Sequence, residues 1–214
     1  MHEILQITLL SLKISITATV LSLLIGLPLG TLLALGRFPG RSLSLSVVNT
    51  GMGLPPVVVG LFVAIMLWRS GPLGSFDLIY TPAAIVIAQL IIALPIVAGL
   101  TAAALQQLDP DLHLQLYGLG ASRTQMILTL WQEARLPLLA ALMAAFGSVI
   151  SEVGASMMVG GNIRFQTRVL TTAIVLETSK GAFDTAIALS ALLLTITFLV
   201  SWALTSIQQR GAKG

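Results

Sequence analysis

Across 214 residues, 56% are hydrophobic and 9% charged, with a mean hydropathy of +0.98, a balance too apolar for a soluble domain of this size. With no cysteine and only His2 and His113, thiolate chemistry and Cys/His metal centres are excluded, and no cofactor, metal or nucleic-acid partner is expected. The net charge of +3 is small, and in a membrane chain it bears on topology before ligands.

Charge-free runs from Ile14 to Gly36, Ser42 to Trp68, Leu78 to Leu108 and Thr185 to Gln209 each exceed the roughly 20 residues needed to cross about 30 Å of hydrocarbon. A fifth, Leu136 to Gly161, is interrupted only by Glu152. The expected fold is therefore an all-α integral membrane protein, one domain over 1–214 with spans at about 8–35, 44–68, 82–106, 136–160 and 183–207. The first run is too long for a signal core, and Lys13 lies inside it, so no cleavable signal is expected.

In the first span Gly26, Gly30 and Ala34 form a stripe of small residues suited to close helix approach, and Pro28 predicts a kink. Arg37 to Arg41 is a tight basic turn. Gly51, Gly53, Pro55 and Pro56 then cluster near the middle of the second span, where an unbroken helix is not expected. Broken backbone at that depth is tolerated where it is buried in protein or borders a wet path, so Pro55 and Pro56 are candidates for lining a pathway, with a plain kinked packing helix as the alternative. After a turn-rich loop from Ser70 to Pro82, the third span carries Pro95 and Gln89, the latter read as an interhelical hydrogen bond rather than a pathway group.

The polar stretch at 107–135 is read as two short helices. Asp109-Pro110-Asp111 starts the first with an N-cap acceptor, a proline at the first helical position and a carboxylate at the positive dipole end. Gly118 and Gly120 end it, and Ser122 to Gln125 has the spacing of a capping box for an amphipathic second helix. The result is either a compact knob for docking on a partner or an interfacial hairpin that only joins two spans.

The fourth span is rich in small residues, and Glu152 inside it needs a named partner, with Arg164, Arg168 and Lys180 as candidates. A gate or structural ion pair is favoured over direct contact with a ligand. Gly160-Gly-Asn-Ile-Arg164, followed by Arg168, is either an anion-binding nest of backbone N–H groups or an outer loop that grips a protein partner. The fifth span begins after Lys180 and Gly181, with Arg210 and Lys213 anchoring its inner end. Placing the polar loop inside puts Arg37, Arg41, Arg123, Arg135, Arg210 and Lys213 inside, against Lys13, Arg69, Arg164, Arg168 and Lys180 outside, with the amino end out and the carboxyl end in.

Leu119-Gly-Ala-Ser-Arg123, an amphipathic helix and Leu136-Pro137 together resemble the cytoplasmic motif of binding-protein-dependent ABC importer permeases. Leu54 to Gly60, Ser151 to Ser156, Gly160 to Arg164 and Thr167 to Ala173 are similar to the oxyanion branch of that family, most closely its tungstate permeases. The resemblance implies a homodimeric permease of the type I importer fold in a bacterial or archaeal cytoplasmic membrane. It also implies a coupling contact at Leu119, Gly120, Ala121, Ser122 and Arg123 with a pair of separate ATP-binding subunits, and a solute-binding protein outside. Molybdate, sulfate or another small solute is the alternative cargo. Two departures stand out: Leu114-Gln-Leu116 occupies the place of the family's Glu-Ala-Ala, and Leu-Pro lies about one helical turn further from the glycine than usual. The chain has no G-x-x-x-x-G-K-[ST] phosphate loop, so it is not expected to hydrolyse ATP. A lipid enzyme would need clustered carboxylates or a nucleophile elbow, which the sequence lacks, whereas a passive channel or scaffold would not.

Overall fold

The computed structural model describes residues 2–211, and every regular element in it is helical. Lys213, expected to anchor the inner end, lies outside the described residues, as does the side chain of Arg210. The bundle is built on α1 (His2–Leu35) and α4 (Pro82–Gln106), which pack along much of their length. Their contact is close because two glycines of the small-residue stripe sit against α4: a Cβ on Gly30 would come within 2.5 Å of the Ala98 carbonyl oxygen, and one on Gly26 within 2.8 Å of Val97. Both helices continue through their internal prolines, Pro28 and Pro95.

The second expected span is two helices, α2 (Arg41–Met52) and α3 (Pro56–Leu67), bent by 104° at Gly53-Leu54-Pro55. Pro55 and Pro56 cannot donate backbone hydrogen bonds, so the first helix ends ahead of them and the second starts with proline in its first turn. The polar loop forms α5 (Pro110–Gly118) and α6 (Arg123–Glu133), and α6 turns by 73° into α7 (Arg135–Ile150). Among the described residues, three helices are long and apolar enough to cross a membrane alone, and up to five spans result if each bent pair counts as one.

The fourth region departs from its expected continuous helix over 136–160: α7 stops at Ile150, and a separate short helix, α8 (Gly154–Gly160), follows a break at residues 151–153. A further helix, α9 (Leu170–Ser179), lies in what reads as a loop by sequence, before the long α10 (Phe183–Gly211). The core is concentrated where α3, α4 and α8 meet, around Val59, Val63, Ile85, Ala88, Ala155 and Val159.

Candidate functional site

The candidate residues fall into three groups along the molecule. At one end of α1 is the α5–α6 knob. The Asp109 carboxylate accepts the Asp111 N–H at 2.9 Å, which starts α5. The helix ends in a Schellman motif: Gly120 N–H donates to Tyr117 O and Ala121 N–H to Leu116 O, both at 3.0 Å. Gly120 has φ +75°, and a Cβ there would meet nothing within 4 Å, so glycine is required for the left-handed turn and not for close packing. The capping box is complete, with Ser122 Oγ accepting the Gln125 N–H at 3.3 Å and Gln125 Oε1 accepting the Ser122 N–H at 2.8 Å.

Leu130 of α6 is fully buried against Ala104 and Leu105, and the Trp131 indole N–H donates to Thr31 Oγ1 at 2.9 Å. The knob is thereby fixed to α1 and α4, while its apex stays bare. Leu119 is 82% exposed, Tyr117 77% and Leu114 70%. An apolar crest of this kind on polar, capped helices is what a partner surface would cover. Sequence reasoning centred on Gly120 and Ala121 missed Tyr117, although its i+3 spacing from Leu114 places both on one helix face.

The second group is where the broken helices meet. The first turn of α3, beginning at Pro55-Pro56, packs on the start of α8: a Cβ on Gly154 would come 2.6 Å from Val57 Cγ2, and one on Gly60 2.6 Å from Ala155 Cα. Glu152 occupies the break and is 7% exposed. Its Oε1 accepts the Ala155 N–H at 2.7 Å, so the carboxylate caps α8. The expected pairing of Glu152 with Arg164, Arg168 or Lys180 is not formed: Arg164 and Arg168 bind Glu3, and Lys180 binds Glu177 at 2.7 Å. The break is stitched from two sides. Gln89 Nε2 of α4 donates to Val149 O at 3.0 Å, the interhelical bond expected of it, and Thr171 Oγ1 of α9 donates to Glu152 O at 2.8 Å. Gln89 Oε1 and Ser156 Oγ are buried beside this region without a protein partner.

The third group lies at the opposite end of α1 from the knob. Gly160, Asn162, Arg164 and Arg168 belong to one turn in which Gly161, Asn162 and Phe165 all have positive φ. Thr167 ties the turn together, donating to Gly160 O and accepting the Ile163 N–H at 2.9 Å. Arg168 donates to Asn162 Oδ1 at 3.3 Å. Arg164 grips Glu3 with two bonds of 2.9 and 2.6 Å, and Arg168 adds a third at 3.4 Å. Glu3 precedes the residues expected to enter hydrocarbon. Its carboxyl is held below the usual carboxylate range chiefly by the Arg164 hydrogen bond; desolvation opposes this, and the charges of Arg164, Arg168 and Lys180 each add a lesser lowering. The same bond raises the Arg164 guanidinium.

A helical membrane chain with broken helices packed at its centre and a capped, apolar-tipped knob at one end has the parts of a transporter's membrane subunit. The chain belongs to the binding-protein-dependent transport system inner membrane component family, which matches residues 26–212. It is 44% identical to a probable anion ABC transporter permease protein of Haloferax volcanii over 92% of this chain and 87% of that protein. It is 38% identical to the tungstate uptake system permease protein TupB of Peptoclostridium acidaminophilum over 97% of this chain and 91% of the relative. In fold it is similar to a chain of the inward-facing MetNI methionine ABC transporter, with a TM-score of 0.77 and 20% identity over 99% of this chain and 97% of the other. The chain is thus an ABC importer permease subunit of the type I fold.

Proposed function

We propose that this permease carries tungstate into the cell as a homodimer, with five spans per chain and the amino end outside. The reading of tungstate is supported by nearly full-length similarity to an anion permease and to a tungstate permease. A pair of ATP-binding subunits docks on the α5–α6 knob, through Leu119, Gly120, Ala121, Ser122 and Arg123 and the adjoining Tyr117 and Leu114. The exposed apolar crest above a rigidly capped turn is the observation that carries this role.

Closure of the ATP-binding pair draws the two knobs together, and α6, fixed to α1 through Trp131 and to α4 through Leu130, passes the movement into the bundle. The path opens where α3 and α8 meet, at Pro55, Pro56 and Glu152. Glu152 acts there as the cap that holds a broken helix in place and not as a ligand for the anion, which its charge would repel. Engagement of both guanidinia by Glu3, together with the exposure of Phe165, favours the Gly160 to Arg168 turn as a contact for the solute-binding protein over an anion nest. Molybdate is the second cargo to test, since a molybdenum permease of Escherichia coli is 29% identical over 97% of this chain.

Gly120→Asp tests the knob. It forces a side chain into a left-handed turn and places a charge on the apolar crest. Co-purification of the ATP-binding subunit and ATP-driven uptake are expected to be lost while the protein stays in the membrane; unchanged uptake by a normally inserted variant would refute the coupling role.

A further inference from the structure

Leu130 and Ala134 turn one face of α6 inward to α4, and beside it α6, held to α1 through Trp131, leaves an open space against α1. Pro28, Leu32 and Leu35 of α1 and Met126, Ile127 and Trp131 of α6 line an open apolar groove of about 530 Å³. Arg123 stands on the same lining. Leu35, Gly36 and Met126 also line a second space of about 940 Å³, whose lining adds Arg37 and Arg41 and reaches Leu114 at the edge of the crest.

We propose that these two neighbouring grooves bind an anionic phospholipid, with an acyl chain between α1 and α6 and the phosphate at Arg37 and Arg41, leaving Arg123 to the docking contact. The charge pattern selects this occupant. Among the described residues, no carboxylate lies within ion-pair distance of Arg37 or Arg123. Arg41 donates from Nε to Leu33 O at 2.7 Å and from Nη2 to Ala34 O at 3.2 Å, which caps α1 and leaves a third positive charge at the same mouth. The counter-charges, Asp109 and Asp111, flank Pro110 of the second space, and the Asp109 carboxylate is engaged by the Asp111 N–H. Arg37, Arg41 and Arg123 outnumber these two carboxylates, so the mouth stays net positive and draws a phosphate.

A free anion has no use for the apolar stem, and a neutral lipid has none for the arginines. Both needs are met by one molecule at the membrane interface, where basic pockets between helices hold lipid phosphates and where an amphipathic indole such as Trp131 also sits. The site would tie the knob to the membrane surface beside the docking crest, and it does not depend on which solute is carried.

The test uses the full chain with its ATP-binding subunit, purified in mild detergent and offered phosphatidylglycerol or phosphatidylcholine, with bound lipid read by native mass spectrometry. The wild type is expected to retain phosphatidylglycerol selectively. Ile127→Trp, which fills the groove, should abolish retention, and Arg37→Gln should lower the preference for phosphatidylglycerol by about fivefold, the scale of one basic residue at a charged membrane surface. Should Ile127→Trp fail to fold, Leu32→Trp, on the exposed wall of α1, fills the same space. Equal retention of the two lipids, undiminished retention by a folded groove-filled variant, or a groove covered by the ATP-binding subunit with no lipid held would each overturn the proposal.

Discussion

Glu152 shows how a single charge is accommodated where the sequence offers no obvious partner. Its carboxylate satisfies the Ala155 N–H at the start of α8, and its backbone carbonyl is satisfied by Thr171. Because glutamine keeps an acceptor oxygen and alanine does not, Glu152→Gln should melt close to the wild type in detergent. Glu152→Ala should lose about 1–2 kcal/mol, the range of a lost helix cap; equal damage from both would point to charge as the requirement. The presence of a buried carboxylate was legible in the sequence. Its partner was not, because a backbone N–H three residues away carries no side-chain signature, whereas Arg164, Arg168 and Lys180 look available until the fold brings Glu3 and Glu177 to them.

Glu3 makes a prediction about pH. Its native carboxyl titrates below its unfolded value, so the contact with Arg164 contributes fully above the unfolded value and fades as pH falls through the lowered native one. Wild type and Glu3→Gln should therefore differ in hydrogen exchange of the Gly160 to Arg168 turn at neutral pH and converge in acid. A difference that persists unchanged in acid would mean that something other than the ion pair holds the turn.

Among elements, the helix breaks divide by how they are made. The bend between α2 and α3 was legible because the paired prolines Pro55 and Pro56, following Gly53, cannot continue the preceding helix. The break between α7 and α8 contains no proline, and it rests on hydrogen bonds donated by Gln89 from α4 and Thr171 from α9, which only the tertiary fold brings there. For a similar reason α9 escaped notice: its start is fixed by a hydrogen bond from the Leu170 N–H to Ser11 Oγ of α1 at 2.8 Å. The knob was legible down to its caps, since Asp109, Pro110, Ser122 and Gln125 act on neighbours in the chain. Ser122→Ala should lower α6 stability by about 1 kcal/mol, read as faster hydrogen exchange confined to the knob. Gly30→Val should instead separate α1 from α4 and lower the melting temperature of the whole bundle, at a cost of about 1–3 kcal/mol from overpacking. A Gly30→Val protein as stable as the wild type would show that the close approach is dispensable.

For the whole molecule, the described chain leaves much apolar surface bare. No residue of α2 is buried, and α10 exposes Ile187, Leu194, Phe198 and Trp202. Such faces need lipid or a second copy, and the proposed homodimer supplies both the second wall of the path and the second knob. Isolated as a complex, two permease chains and two ATP-binding subunits are the expected composition, measurable by native mass spectrometry.

Cargo is the property least visible in the residues, because neither the α3–α8 contact nor the Gly160 to Arg168 turn presents a free cluster of anion ligands among the described residues. It is also where one measurement bears most directly on the function proposed: uptake into proteoliposomes containing the permease, its ATP-binding subunit and the solute-binding protein, with tungstate, molybdate and sulfate offered in turn. The expected result is ATP-dependent accumulation with tungstate preferred. Uptake that proceeds without ATP, or that favours sulfate over tungstate, would contradict it.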